Sequence, residues 1–378
     1  VVTPLGLRVD QNNEGYSQVI WAGRDETAHF RGGKLAALLE LRDGDVRQEI
    51  QKLDLMTVNL IDLVNETHKK GFGLNGETGQ SFFLEYPFVV NRLGNYDRDG
   101  DGTFDSTYLF RVTGANTLSP QDHIGLSGVM RIPGKSGITE IPYYPTDTVD
   151  DVIKRINNSG AEVGARLDID GRLSIKAAPA QNRQNPDFVI RHLEDSGEFL
   201  VGYAGILNDS GEAGAYRWTE ADAVLSLRGG EDTFAVAPLA HPSGWIEVNR
   251  TLVNNPAALA AGFGQNGREA NPGDGSAALA IARIRNTDVM IGSARSFDQY
   301  FAEAVAEIGL KGETAARALE TENLIMKDLE NMRQAISGVN IDEELAQMIK
   351  FQHGYAAASR FITEVTKMID TIINRMGV

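Results

Sequence analysis

The sequence predicts an α+β multidomain protein. A long-helix bundle or coiled-coil domain is split in sequence by a β-rich insertion, and an extended C-terminal helix follows. Helical apolar periodicity occurs between residues 32 and 71 and again after residue 245, whereas the stretch between them contains short β-type segments broken by Gly, Pro and Asp. The end of the chain carries an apolar heptad pattern. These patterns predict four parts. Residues 1–84 and 236–338 form the two halves of the helical domain. Residues 85–235 form the β-rich insertion domain, and residues 339–378 form a coiled-coil or assembly helix.

The composition narrows the classes of protein to which the chain can belong. Its 378 residues are enough for more than one domain with its own core. A formal net charge of −16 argues against nucleic acid or an anionic membrane surface as the main partner. The absence of cysteine excludes disulfides and Cys-ligated metals, and no apolar run is long enough to predict membrane insertion. Because the chain begins Val1-Val2-Thr3, without Met or an apolar signal region, we expect it to be a piece of a longer protein.

The first 84 residues predict short strands followed by helices. Strands are expected at Leu5–Asp10 and Ser17–Gly23, on either side of a turn-rich segment. One helix is expected from Lys34 to Asp43. A longer helical periodicity ends near Lys70, because basic residues followed by Gly are typical of a helix C-terminus.

The β-rich insertion contains one predicted helix among its strands. The helix is expected over Thr148–Gly160, with Thr148 or Asp150 as its N-cap. A tight turn is expected at Asp170-Gly171, since Gly tolerates positive φ. The predicted strands are Tyr108–Val112, Val129–Ile132, Val163–Leu167 and Leu173–Ala177.

Two long helices are predicted after the insertion. The first covers Ser296 to Ile336, with Gly309 and Gly312 as points where it bends or is interrupted. The second begins at Asn340. It carries a strict apolar seam at alternating gaps of four and three residues, and such a narrow stripe needs a partner helix. The members of this assembly seam are Phe351, Tyr355, Ala358, Ile362, Val365, Ile369, Ile372 and Met376.

The terminal segment resembles a family signature. The run "SGVNIDEELAQMIKFQHGYAAASRFITEVTKMIDTIINRM" (Ser337–Met376) is similar to the C-terminal signature of the flagellar rod, hook and hook-associated axial proteins. In that signature a Val-Asn-hydrophobic-Asp-Glu-Glu segment precedes a Gln-x-x-Tyr-x-Ala core and a final apolar helix. His353-Gly354 departs from it, because Gln-Ala is common there.

A second resemblance, in the first part of the chain, is more specific. "GGKLAALLELRD" and the following "VNETHKKGFGLNGETGQSFF" (within Gly32–Phe83) resemble the hook-associated protein 1 family, where a helix precedes a Leu-Asn-Gly turn and a Gly-Gln-x-Phe-Phe run. The segment Asp147–Pro179 is also similar to an insertion module of flagellins and hook-associated proteins. In this family the segments after the insertion return to the helical domain.

The resemblance implies a structural component of the bacterial flagellum at the hook–filament junction. It implies self-assembly into a helical array, contact with the hook protein and with the second junction protein or the filament, and an export chaperone before secretion. The location would be extracellular, on an external or a periplasmic flagellum. No nucleic acid partner, membrane insertion, required cofactor or enzymatic activity is expected.

One local motif suggests calcium binding. In "DRDGDGTFD", the side chains of Asp97, Asp99, Asp101 and Asp105 and the carbonyl of Thr103 stand at positions 1, 3, 5, 9 and 7 of an EF-hand-like loop. Against this, the twelfth position is Tyr rather than Glu, and no helices are predicted to flank the loop. The alternative is a solvated acidic turn, which Asp-Gly repeats favour. A bound calcium ion would act as a structural staple.

Two other classes of protein remain as alternatives. One is a different axial component, of the flagellin, hook or rod type, against which the Gly32–Phe83 motif argues. The other is a secreted calcium-binding adhesin with a coiled-coil stalk, which would carry more than one Asp-rich loop. An enzyme is not predicted, since the sequence contains no nucleophile elbow, phosphate-binding loop or dinucleotide fingerprint.

Overall fold

A computed structural model describes residues 4–10, 16–24, 26–85, 93–182, 184–229, 233–264, 270–338 and 340–375. The chain forms two compact units, Val1–Ala304 and Val305–Val378. Helices and antiparallel sheets are both major components of the described residues, so the predicted α+β class is confirmed. The division into four domains stays a prediction.

The helices of the described residues fall at both ends of the chain and once within the β-rich part. They are α1 Gly33–Glu40, α2 Arg47–His68, α3 Val149–Asn158, α4 Arg250–Asn254, α5 Ser276–Ile284, α6 Phe297–Ser337 and α7 Ile341–Arg375. Among the described residues, no helix is long and apolar enough to cross a bilayer.

The strands of the described residues form three antiparallel sheets, with the orders β1-β2-β3, β10-β9-β5-β6 and β11-β4-β8-β7. They are β1 Leu5–Val9, β2 Ser17–Trp21, β3 Glu26–Thr27, β4 Leu109–Thr117, β5 Gly128–Gly134, β6 Gly137–Tyr143, β7 Val163–Leu167, β8 Arg172–Ala177, β9 His192–Asp195, β10 Tyr216–Arg217 and β11 Phe234–Val236.

The two helices predicted in the first part of the chain form one continuous helical segment. A π-helical turn over Leu41–Val46 joins α1 to α2 without leaving the helical path. Arg42 in this turn donates to the Ser17 carbonyl at 2.9 Å and lies over the Tyr16 ring, so it attaches the first sheet to the helix. Lys69 is the C-cap of α2, in the basic segment where the sequence predicts the end.

All four strands predicted in the insertion are present, and β7 has the predicted bounds. The turn at Asp170-Gly171 joins β7 to β8, and Gly171 has the positive φ of +75° that the hairpin requires. Thr148 is the N-cap of α3 in a complete capping box. Its hydroxyl accepts from the Asp151 amide at 3.2 Å, while the Asp151 carboxylate accepts from the Thr148 amide at 3.0 Å.

Several strands were not predicted. The longest is β6, which pairs with β5 over its whole length through a short turn at Lys135-Ser136. The others are β3, β9, β10 and β11, all of four residues or fewer. Short strands give little periodicity from which a sequence prediction can be made.

One apolar core joins α2 to the β-rich part of the first unit. Leu55 and Val58 of α2 belong to the same buried cluster as Leu109 of β4 and Ile175 of β8. The helix therefore packs on the sheet β11-β4-β8-β7 rather than standing apart from it.

The segment after β11 packs against the C-terminal end of α2 and against the residues that follow it. The Leu84 amide donates to the Glu247 carbonyl at 2.9 Å. The buried His68 ring accepts from the Ala260 amide at 2.9 Å through Nε2, and its Nδ1 lies 2.7 Å from the Gln80 carbonyl. The His68 ring therefore links the segment after β11, at Ala260, both to α2 and to the segment that directly follows α2, at Gln80.

The long helix α6 begins with a capping box that was not predicted. The Ser296 hydroxyl accepts from the Gln299 amide at 3.3 Å, and the Gln299 side chain accepts from the Ser296 amide at 3.0 Å. The sequence predicted that α6 bends or is interrupted at Gly309 and Gly312. An interruption is wrong, because α6 is continuous through both residues, whereas a bend stays a prediction. A helical Gly costs only about 1 kcal/mol, and an i,i+4 ion pair between Glu307 and Lys311 spans Gly309.

Candidate assembly surface and candidate metal loop

The terminal helix α7 is capped by Asn340, the residue at which the sequence predicts its start. The Asn340 side chain accepts from the Asp342 amide at 3.1 Å, and the Asn340 carbonyl accepts from the Glu344 amide at 3.0 Å. The acidic residues Asp342, Glu343 and Glu344 occupy the first turn, where the positive end of the helix dipole favours them. The helix then runs without interruption to Arg375, passing through Gly354.

The predicted seam lies on one face of α7, and that face is open to solvent. Phe351 is 74% exposed and Tyr355 is 79% exposed, values that are rare for large apolar side chains in a folded monomer. Ile362, Ile369 and Ile372 are also exposed. Ala358 is exposed and Val365 is half-buried, whereas Met376 lies outside the described residues.

The apolar face of α7 is wider than the predicted seam. Met348 continues the seam by one heptad position toward the N-terminus and is exposed. Phe361 and Met368 each precede a seam residue by one position, and Ile373 follows one; all three are exposed. Such additions beside an a/d seam are typical of helices in bundles with more than one neighbour. We call the seam with these flanking residues the α7 apolar face.

The part of α6 in the second unit also presents unpacked apolar side chains. Val305, Ile308, Leu319 and Met332 are all exposed. A helix gains most of its stability from packing an amphipathic face rather than from intrinsic propensity. Both helices of this unit therefore present surfaces of the kind that assembly buries.

The candidate metal loop, Asp97–Asp105, extends from an isolated antiparallel bridge in which Tyr96 pairs with Ser106. Carboxylate oxygens of Asp97, Asp99 and Asp101 all lie within 4.8 Å of one another, and no other such group of three or more occurs among the described residues. Distances of this size allow three carboxylates to approach one hard cation.

The same carboxylates also stabilise the turn by hydrogen bonds to the backbone. Asp97 accepts from the amides of Gly100 at 2.7 Å and Gly102 at 2.8 Å. Asp101 accepts from the Thr103 hydroxyl at 2.6 Å and from the Thr103 amide at 2.8 Å, and these bonds lower the pKa of Asp101. The acidic turn is thus well ordered by its own hydrogen bonds.

The other predicted ligands are placed less favourably. Asp105 is not in the group of three carboxylates. One of its oxygens accepts from the Ser106 hydroxyl at 2.6 Å and from the Arg98 amide at 3.0 Å, bonds that lower the pKa of Asp105. The residue at the twelfth position, Tyr108, is buried in the core and stacks on Tyr96. A loop of EF-hand type with all its ligands is therefore not formed.

A buried network of ion pairs and hydrogen bonds connects α2 to the sheet β11-β4-β8-β7, and it was not predicted from the sequence. We call this network the buried joint. Lys176 of β8 is 2% exposed, and its Nζ lies 2.7 Å from an Asp62 carboxylate oxygen and 3.0 Å from the Asn59 amide oxygen. Arg111 of β4 donates to the other Asp62 oxygen at 2.9 Å, and Arg166 pairs with Glu66. Three polar side chains on one face of α2 thus contact three basic side chains on the sheet. They are Asn59, Asp62 and Glu66 on α2, and Arg111, Arg166 and Lys176 on the sheet.

The electrostatics of the joint follow from its burial. Burial disfavours the charged amine and lowers the pKa of Lys176 to about 8, with the negative charge of Asp62 acting in the opposite direction. Burial also acts to raise the pKa of Asp62. The positive charges of Lys176, Arg111 and Arg166 outweigh this effect, and the pKa of Asp62 lies well below its ordinary value.

Two parts of the chain match known family models. Residues 2–83 match the flagellar hook-associated protein FlgK helical domain, and residues 332–376 match the flagellar basal body rod FlgEFG protein C-terminal region. These two matches cover the motifs at Gly32–Phe83 and Ser337–Met376.

Curated relatives extend the similarity across the chain. Flagellar hook-associated protein 1 of Escherichia coli is 23% identical over 343 residues, which are 90% of this chain and 49% of that protein. The protein of the same name from Salmonella typhimurium is 21% identical over 90% of this chain and 50% of its own length. That of Bacillus subtilis is 32% identical over 142 residues, which are 37% of this chain and 27% of that protein.

The chain spans about half the length of the curated relatives that match it over most of its residues, with 49% of the Escherichia coli protein covered. The similarity includes both motifs from which the resemblance was inferred, one in the helical domain and one in the terminal helix. The resemblance of this chain to flagellar hook-associated protein 1 is therefore confirmed.

Proposed function

We propose that this chain belongs to a structural, non-catalytic component of the bacterial flagellum at the junction between hook and filament. The observation that carries the proposal is the pair of separate matches to flagellar axial proteins, at residues 2–83 and 332–376. The relatives that match most of the chain are named as hook-associated proteins.

The proposed mechanism of assembly uses the α7 apolar face. In a helical array this face packs against helices of neighbouring copies or of other axial proteins. Complete burial of a large apolar side chain contributes about 1.5–3 kcal/mol, so several such residues outweigh the cost of ordering a helix. The helical domain supplies lateral contacts, and the β-rich part faces outward.

The partners and the location follow from this place in the flagellum. The neighbours are the hook protein on one side and the second junction protein or the filament on the other. Before secretion, the protein is bound by an export chaperone. The assembled protein lies outside the cell, on an external or a periplasmic flagellum.

We also propose that Asp97, Asp99 and Asp101 hold a calcium ion as a structural staple of their loop. Their carboxylate oxygens lie within 4.8 Å of one another, as convergence on a hard cation requires. Asp105 and Thr103 were predicted to complete the site, but Asp105 is engaged by Ser106 and Arg98. Calcium binding is therefore expected to be weak and to order the loop rather than to act as a sensor.

Calcium titration by calorimetry tests this second proposal. The wild-type chain is compared with Asp99→Ala and with Glu322→Ala, an exposed carboxylate on α6, as the control. Heat of binding in the wild type and the control, and its loss in Asp99→Ala, supports the calcium site. A wild-type titration without heat leaves the loop as an acidic turn.

Immunolabelling of purified flagella with intact hooks tests the proposed place of the protein. A narrow band of label at the boundary between hook and filament is expected. Label along the whole filament or hook would instead assign the chain to another axial class, and the absence of flagellar label would reject the proposed function and favour an adhesin.

A further inference from the structure

A lysine amine and an asparagine amide are in contact inside the buried joint. Lys176 Nζ lies 3.0 Å from the Asn59 amide oxygen, although the two residues are 117 positions apart in the sequence. Asn59 is 0% exposed and Lys176 is 2% exposed. The Asp62 carboxylate lies 2.7 Å from the same nitrogen. An amine, an amide and a proton-accepting carboxylate are thus held together away from water, and these are the groups that the exchange of one amide bond for another requires.

The Asn59 amide is held in one orientation by a second hydrogen bond. Its Nδ2 donates at 2.9 Å to the carbonyl of Val289, in the segment that follows α5. Its oxygen therefore stays turned toward Lys176. Because the carbonyl carbon is one bond from that oxygen, Nζ is also close to Asn59 Cγ, and a rotation of the Lys176 side chain brings Nζ from the edge of the amide to the face from which a nucleophile attacks. Two groups held in this way react as if they were at a very high concentration.

We propose that Lys176 and Asn59 become joined by an amide bond between their side chains, with Asp62 carrying the protons. Nζ of Lys176 gives a proton to Asp62, and the neutral amine forms a bond to Cγ of Asn59. The bond between Cγ and Nδ2 then breaks. In the whole reaction Nζ loses two protons and Nδ2 gains two, so ammonium leaves and Asp62 ends as the carboxylate that it was at the start. The balance needs no oxidant or reductant.

The surroundings of the three groups favour this reaction. Although burial acts to raise the pKa of Asp62, the charges of Lys176, Arg111 and Arg166 hold that pKa well below its ordinary value, so Asp62 is ionised and able to accept a proton. The positive charges of Arg111 and Arg166 also favour the negative charge that develops on the Asn59 oxygen. Exclusion of water disfavours the competing hydrolysis of the amide. Since a carboxylate of low pKa is a weak base, we expect the bond to form slowly, after the chain has folded.

The rate of linking should follow the ionisation of the Lys176 amine. The charged groups that face this amine are Asp62 and Glu66 of α2, Arg111 of β4 and Arg166 of β7. Burial lowers the pKa of Lys176 to about 8, Arg166 acts in the same direction, and the two carboxylates oppose them. The neutral fraction of the amine, and with it the rate, should therefore rise about tenfold from about pH 7 to about pH 9.

The bond fastens α2 covalently to β8 in a chain that has no cysteine. It closes a loop that contains β4 to β8, and such a cross-link stabilises a protein by restricting its unfolded chain, as a disulfide does. Linking consumes the amine, so only the unlinked chain shows the pH-dependent stability that a free Lys176 amine produces. The reaction goes beyond the proposed function and does not depend on the place of the chain in the flagellum.

Mass spectrometry of the folded chain tests the proposal. During incubation at about pH 9 the wild type is expected to lose the mass of one ammonia molecule, and a tryptic digest should contain the peptide with Asn59 joined to the peptide with Lys176. The joined peptides are decisive, because Asn75-Gly76 can also lose ammonia by forming a succinimide. Lys176→Met should form no link, whereas Lys154→Met, which replaces an exposed lysine of α3, should link like the wild type.

A further variant tests the role of the carboxylate. Asp62→Asn keeps the shape of the side chain but removes the proton carrier, and it should slow linking at least tenfold while circular dichroism stays unchanged. A folded Asp62→Asn variant that links at the wild-type rate would refute the role of Asp62. The wild-type time course decides the proposal even where this variant does not fold. A folded wild-type chain that yields no joined peptides between about pH 7 and about pH 9, or one that links as fast when unfolded in urea, would overturn the proposal.

Discussion

Replacement of the buried Lys176 by Met is expected to change how the stability of the first unit depends on pH. In the wild type, the folded-state pKa of Lys176 is about 8, below the ordinary value of 10.5. Between these values the unfolded chain binds more protons than the folded chain, so the free energy of unfolding contributed by this group rises with pH. Met is close to Lys in length but has no titrating group.

The magnitude of the effect follows from the two pKa values of the Lys176 amine. One pKa unit corresponds to about 1.4 kcal/mol, and the amine is already partly deprotonated near pH 8. Between about pH 7.5 and about pH 9.5, the free energy of unfolding of the wild type should rise by about 2 kcal/mol relative to Lys176→Met. Taking the difference between the two proteins removes the contributions of groups that both share.

Urea unfolding followed by tryptophan fluorescence measures this difference. All three tryptophans, Trp21, Trp218 and Trp245, lie in the first unit. The quantity compared is the free energy of unfolding of the wild type minus that of Lys176→Met. If this difference stays constant or falls as the pH rises, burial does not destabilise the charged amine in the folded state. A changed m-value in the variant would indicate that the joint itself has rearranged.

Other substitutions test the packing and the caps of the first unit. In Gly73→Ala the new Cβ would lie 2.5 Å from the Ala257 carbonyl oxygen, and overpacking against the backbone should destabilise the unit by about 1–3 kcal/mol in urea unfolding. Gly44→Ala, the control, meets nothing within 4 Å in its helical turn and should be stabilising by up to about 1 kcal/mol; equal effects of the two would contradict the close approach. Thr148→Ala removes the capping box of α3 and should cost about 1 kcal/mol, whereas no loss would mean that the cap is dispensable.

The elements that could be predicted are those whose structure is determined by residues close together in the sequence. The hairpin of β7 and β8 was predicted because alternating apolar residues flank Asp170-Gly171, whose glycine supplies the positive φ. The terminal seam was predicted because Phe351 and its followers keep a heptad spacing over a long run. Both patterns depend only on neighbours in the sequence.

The buried joint could not be predicted in the same way. In β8, Leu173 and Ile175 alternate with Ser174 and Lys176, a pattern that normally places the polar pair toward solvent. Here α2 covers that face, and Asp62 supplies the charge that compensates Lys176. Which helix covers which face is set by tertiary packing, and strand alternation carries no information about it.

The candidate metal loop shows the same limit. The spacing of the aspartates correctly brought Asp97, Asp99 and Asp101 together. Spacing alone could not show that Asp105 is engaged by Ser106 and Arg98. Those bonds depend on how the loop closes at its base.

Incorporation of α7 variants into flagella tests the central claim, which is assembly through the α7 apolar face. The full-length protein carrying Ile362→Asp and Ile369→Asp is expressed in cells that lack their own copy, beside a control carrying Thr363→Asp and Thr371→Asp on exposed positions outside the seam. The amount of protein in isolated hook–filament structures is then measured by quantitative immunoblotting and electron microscopy. The seam variant should be secreted but absent from the junction, while the control enters it at the wild-type level. Incorporation of the seam variant at the wild-type level would contradict the account.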